Sequence, residues 1–147
     1  MKTLTLATIA LLAISQFASA ESPENYIKYR QAMMKAIGGH MGASSQILRG
    51  KVSPEGHLAM HADALAALSA NLTALFPEGS DFGETKAKAE IWDNWSTFEK
   101  AAANSKQATA EFAAAVASGD AERIKAAQKA VGKSCKGCHK DFREKDE

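Results

Sequence analysis

From residue 22 onward, apolar side chains recur at intervals of three and four, and no stretch alternates with period two. That spacing predicts amphipathic helices and no sheet. Ser22-Pro23-Glu24 opens the first helix. Serine suits the cap, proline the first turn, and an acid the positive helix end. The inward stripe reads Tyr26, Arg30, Met33, Ile37, Met41, Ser44 and Leu48, with Met34 on its flank, and Gly50 closes the helix. Gly38-Gly39 interrupts it; each glycine costs about 1 kcal/mol relative to alanine, unless a neighbour or cofactor uses the space. Ser53-Pro54-Glu55 repeats the opening signal for a second helix with the face Leu58, His61, Leu65, Leu68, Leu72 and Leu75, stopped by Pro77. Residues 77–84 form the longest connection. A third helix starts between Lys86 and Glu90 and carries Ile91, Trp95, Phe98, Ala102, Ser105, Thr109, Phe112 and Val116. Ser118-Gly119-Asp120 ends it and caps a fourth, whose inward line is Ile124, Ala127, Val131, Cys135, Cys138 and Phe142. Four long helices with short connections predict an all-α, antiparallel up-down-up-down four-helix bundle.

The first twenty residues follow another logic. Lys2 gives a positive start, Leu4 to Leu12 and Ile14 form a short apolar core, and Ala18-Ser19-Ala20 offers small residues for cleavage. This is the pattern of a secretory signal peptide removed after Ala20. It leaves residues 21–147 as one periplasmic domain. The apolar run is too short for a membrane span, and nothing later is more apolar, so no membrane span is expected. An uncleaved anchor is the weaker alternative because the Ala-x-Ala site is clear. Charge then balances: the 18 Lys and Arg, less Lys2, equal the 17 Asp and Glu. A neutral chain argues against nucleic acid as a partner, since that binding rests on excess positive charge.

The candidate chemistry is concentrated in Cys135-Lys136-Gly137-Cys138-His139. A Cys-x-x-Cys-His run reads as a c-type haem attachment site, the thiols forming thioethers and the histidine binding iron. On a helix these three residues share one turn and can face one porphyrin. A redox disulfide expects a βαβ context that is absent, and zinc expects four ligands at finger-like spacing. One covalent haem c per chain is therefore the expectation. His57 and His61, one turn apart, have the spacing of metal ligands, but no third ligand is in sequence reach. A capping-region His57, a partly buried His61 and a surface or interhelical His40 are the blander reading. Met33 and Met41 read as core filler. Trp92 cannot fully share a face with Trp95, which points it toward a dimer surface or the edge of the haem.

With these features the chain resembles cytochrome c′, the class II c-type cytochromes. The resemblance rests on the signal peptide, the four-helix pattern, Arg30-Gln31-Ala32-Met33-Met34-Lys35, and Cys135 to His139 near the C-terminus. It implies Cys135 and Cys138 as thioether residues and His139 as axial ligand. It also implies Arg30 near the haem propionates, Met34 over the distal face and Arg143 beside the proximal histidine. An arginine on an apolar stripe is costly unless paired, which favours the propionate over a merely snorkelling side chain. For Arg143 a solvated cation at a helix C-terminus is the equal alternative. The family implies a homodimer through the first two helices and an iron that binds small diatomic gases, NO or CO, or carries single electrons to partner proteins the sequence does not name. Some members instead use the first-helix methionine as a sixth ligand and are low-spin, so a six-coordinate electron carrier with Met34 on the iron is the second reading. An enzyme is the weakest reading, because no acid–base pair is visible.

Overall fold

The computed structural model describes residues 22–145. The expected signal peptide lies outside the described residues. Five α-helices and one 3-10 turn make up the fold: α1 (Pro23–Leu48), α2 (His57–Leu68), the 3-10 turn (Leu72–Leu75), α3 (Glu90–Asp93), α4 (Trp95–Ser118) and α5 (Ala121–Phe142). Among the described residues there is no strand, only an isolated antiparallel bridge between Ala87 and Arg143. The long helices α1, α2, α4 and α5 build the expected all-α bundle, with α2 against α1, α4 against α2, and α5 against α4.

The outer helix boundaries follow local chemistry. Ser22 accepts from the Asn25 amide (3.4 Å), and Asp120 caps α5 by accepting from the Glu122 and Arg123 amides (3.0 and 3.1 Å). Gly119 ends α4 in the left-handed region, φ +71°, where a residue without Cβ carries no penalty.

The middle of the chain departs from the expected pattern. Ser53-Pro54-Glu55 does not cap α2; the helix starts at His57, after Gly56 at φ +73°, with no side-chain cap. A left-handed residue cannot belong to a right-handed helix, so α2 begins only beyond it. Nor does α2 run to Pro77. It stops at Leu68, and after Asn71 (φ −144°) the 3-10 turn folds Leu75 and Phe76 into the core. The expected third helix is likewise two pieces, because Asn94 (φ −124°, ψ 46°) breaks it between α3 and α4.

Burial is organised in two clusters. The first comprises Ala62, Leu65, Ala108, Phe112, Ala115, Ile124 and Val131, with Met41 and Cys135 packed against it. The second joins Leu75, Phe76, Ile91, Phe98 and Phe142 to Met33, Met34, Trp92 and Cys138. Phe98 is the hinge of the second, edge-on to Phe76 (4.7 Å) and Phe142 (5.4 Å), an arrangement that suits ring quadrupoles. The two cysteines thus touch different clusters.

Gly38 and Gly39 are exposed, and a Cβ at either position would meet nothing within 4 Å. Among the described residues, no neighbour fills the space they leave.

Candidate functional site

The bundle is open along one edge. Helices α1 and α5 share no contact as extended as those of α1 with α2, α2 with α4 or α4 with α5. They meet at one end, where Gln128 donates to the Ser45 hydroxyl (3.1 Å) and the methyl end of Met41 lies 3.7 Å from where a Cβ of Gly132 would stand. The two helices are antiparallel, so four residues back along α1 correspond to four forward along α5. Two turns on, that register brings Met34 and Lys35 level with Cys138 and His139, and Arg30 level with Phe142 and Arg143.

Here the helices enclose a cavity of about 470 Å³ instead of touching. Arg30, Gln31, Met34 and Lys35 form its α1 wall, and Cys138, His139, Phe142 and Arg143 its α5 wall. Phe76, Ile91, Phe98 and Ala102 close the interior, while Thr85, Lys86 and Ala87 form a rim. The rim is fixed to the end of α5: the Lys88 amide donates to Phe142 O (3.1 Å) and the Glu144 amide to Lys86 O (2.8 Å). A second, more open hollow of about 530 Å³ between α4 and α5 shares Cys138 and Phe142 but has no α1 residue and no His139. Only the first cavity combines thiol, imidazole and methionine.

The donor set fits a covalent porphyrin. The cavity is of ligand size, its interior is aromatic and aliphatic, and Arg30, Lys35, Lys86 and Arg143 give its lining positive charges for carboxylates. Cys135 and Cys138 are both free thiols and partly buried. Cys138 lines the cavity, whereas Cys135 packs against the first cluster just behind it. Burial raises the Cys135 pKa, and burial reinforced by Cys135 and Asp141 pushes Cys138 up to about 11. A dithiol redox site needs a stabilised thiolate, so these protonated thiols suit the disulfide-exchange alternative poorly. His139 is exposed as a residue, yet its ring borders the cavity. Desolvation first and Arg143 second hold its pKa below the ordinary value. The neutral imidazole is the form that binds metal.

Arg30 is the surprise of the site. It is 4% exposed, and its guanidinium is already engaged. Nη1 donates to Leu75 O (3.3 Å) and Ser80 Oγ (3.0 Å); Nη2 donates to Ser80 O (2.9 Å) and Thr85 Oγ1 (2.8 Å). The charge also lies 4.6 Å from the Phe76 ring centroid. All four acceptors are neutral, and burial lowers the Arg30 pKa. Arg30 therefore binds the 75–85 connection together as well as lining the cavity. Gln31 reinforces it by donating to Glu84 O (2.6 Å). Trp92 does not itself line the cavity; its indole donates to Pro77 O (3.2 Å) and its ring packs on Phe76, which does.

Ser80, Thr85 and Phe76 carry no helical periodicity, and periodicity does not single them out. The one available signal was the length of the 77–84 connection, since long ordered loops tend to serve a site.

A family model described as "Cytochrome C'" matches residues 25–143, nearly all of the described chain. The chain belongs to the cytochrome c′ family. Covalently bound haem c is therefore its cofactor, and iron and electron transport are its chemistry. Cytochrome c′ of Pararhodospirillum photometricum is 41% identical over 84% of this chain and 99% of that protein. The solved cytochrome c′ of Shewanella frigidimarina superposes with a TM-score of 0.81 at 35% identity, covering 86% of this chain and 99% of that one. A cytochrome c′ variant from Alcaligenes xylosoxidans, solved as its nitric oxide complex, superposes with a TM-score of 0.77 at 30% identity, covering 84% of this chain and 98% of that one. These neighbours share the bundle, and in this chain Met34, Cys138 and His139 line the cavity between α1 and α5, with Cys135 behind it.

Proposed function

We propose that this chain is an exported cytochrome of the c′ type that holds one haem c between α1 and α5 and binds small diatomic gases, NO or CO, while passing single electrons. The observation that carries the reading is the level register of Met34 on α1 with Cys138-His139 on α5 across one cavity. The similarity to a cytochrome c′ variant that binds nitric oxide supports the gas.

In this reading Cys135 and Cys138 would hold the porphyrin through thioethers, and the neutral imidazole of His139 would bind its iron. The bound haem supplies a one-electron redox change and a ligand position on its far face. Met34, an apolar and flexible side chain on the opposite cavity wall, would hinder an incoming ligand rather than bond to the iron. Lys35 and Arg143 on the cavity walls and Lys86 at the rim would offer positive charge to the propionates. Arg30 would add a buried positive charge whose Nη donors are already engaged by Leu75, Ser80 and Thr85.

The absorption and spin state of the purified ferric protein test this. A five-coordinate, high-spin iron is expected. A low-spin iron that becomes high-spin on Met34→Ala would instead make Met34 the sixth ligand and the protein a plain electron carrier. Export is checked by a mature N-terminus at Glu21. Pairing of two chains through α1 and α2 is supported by exposed Tyr29 and Met60 (55% and 46%) on those helices and is checked by sedimentation.

A further inference from the structure

Three of the four histidines in the chain gather outside the cavity that His139 borders. His40 on α1 and His61 on α2 approach with their Nδ1 atoms 2.9 Å apart and ring centroids 5.1 Å apart. His57, one turn before His61 on α2, places its ring centroid 6.1 Å from that of His61. The two helices pack along each other, and none of the three histidines lines the haem cavity. His57 is exposed; His40 and His61 are half-buried at the seam. The spacing that in sequence lacked a third ligand thus acquires one from the neighbouring helix.

We propose that His40, His61 and His57 form a surface site for a late first-row divalent cation, Cu2+ by preference and Zn2+ more weakly. Nitrogens bonded at roughly 2.0–2.1 Å to one ion stand about 2.9 Å apart when they occupy adjacent corners of a square. The two Nδ1 atoms are already 2.9 Å apart as hydrogen-bond partners, so turning the rings toward one ion does not require the helices to separate. Among the described residues, no group of three His, Cys, Asp or Glu side chains is arranged to hold a metal as it stands. Binding therefore requires His40 and His61 to break their hydrogen bond and each ring to turn by roughly 45°, so that both lone pairs meet at one point, and a rotamer change of His57. That change is available to His57 because it is exposed at the first residue of α2, and an i, i+4 histidine pair on one helix can chelate a metal ion. Water completes the coordination. Imidazole donors and a tetragonal preference both place Cu2+ ahead of Zn2+. His61 also presents the required neutral ring: burial, then His40 and His57, hold its pKa below the ordinary value. In the metal-free protein the same pair is a hydrogen bond in which one ring donates and the other accepts.

The test uses untagged ferric holoprotein at pH 7.5, titrated with Cu2+ by calorimetry and followed by electron paramagnetic resonance. One Cu2+ per chain with a nitrogen-ligated, axial signal is expected. His40→Ala and His61→Ala should each weaken binding at least roughly tenfold. The double variant should lose the site, with helical circular dichroism and haem absorption unchanged. His57→Ala should also weaken binding; unchanged affinity would overturn the three-histidine site. Because the ion joins two helices of the folded state, Cu2+ should raise the wild-type Tm reversibly with chelator. If the double variant binds Cu2+ like the wild type, or if Cu2+ leaves the wild-type Tm unmoved, the proposal fails.

Discussion

Arg30 holds both polar atoms that Ser80 offers it: Nη1 donates to the hydroxyl at 3.0 Å and Nη2 to the carbonyl at 2.9 Å. Ser80 is fully buried and its hydroxyl also donates to Pro77 O (2.8 Å). A charge from the first helix is thereby the organising centre of a connection fifty residues later. Arg30→Met should leave the Leu75 and Ser80 carbonyls unpaired in the interior, costing on the order of 3 kcal/mol. Ser80→Ala removes one acceptor and should cost only about 1 kcal/mol. Denaturant midpoints of the holoprotein measure both. Equal, negligible effects would show that the connection is held some other way.

Met34 and its cavity partners supply a ligand-binding prediction. Truncation to alanine removes the side chain on the α1 wall level with His139. Carbon monoxide affinity of the ferrous protein should rise while the ferric spin state stays largely unchanged. Flash photolysis and absorption titration read the first, and paramagnetic resonance the second.

Covalent attachment predicts that acid–acetone leaves the haem on the chain, and that either Cys135→Ala or Cys138→Ala alone still retains it through one thioether. The double variant should lose it. Its emptied cavity of about 470 Å³ removes contacts from both walls, and cavities are destabilising in proportion to their size. Broad, weakly cooperative thermal unfolding is expected; a sharp transition at the wild-type temperature would contradict it.

Gly38 and Gly39 face open space on α1. Replacing either by alanine should stabilise the protein by about 1 kcal/mol, seen as a higher denaturant midpoint with an unchanged slope. A loss of stability would mean that this face is covered, as by a second copy of the chain.

The histidine seam gives stability a pH dependence when metal is removed with chelator. Burial, His40 and His57 set the folded-state pKa of His61 below its ordinary 6.5. The unfolded chain therefore takes up this proton first. Stability is full above about pH 6.5 and falls as pH drops toward the folded value, below which the loss levels off. Denaturation midpoints between pH 7.5 and 5.5 should show a smaller decline in His61→Gln than in the wild type. An identical slope in both would remove His61 from the account.

The local code of the chain determined the helix class, the caps at Ser22 and Asp120, and the inward line from Ile124 through Cys138 to Phe142. Each of these depends on neighbours within a turn, so period and capping chemistry suffice to read them. The five-residue haem motif is equally local, and so is the Arg30-to-Lys35 run that carries the family likeness. Tertiary structure decided the rest. Gly56 delays the start of one helix, and Asn71 and Asn94 interrupt helices that periodicity alone would continue, where Leu75, Phe76 and Ile91 turn into one apolar cluster. Arg30 acquires its acceptors only when residues 75–85 fold over α1, and Met34 comes level with His139 only through the antiparallel register of α1 and α5. His40 meets His61 only through the packing of α2 along α1. Such contacts join residues tens of positions apart, where spacing along the chain carries no information about distance in space.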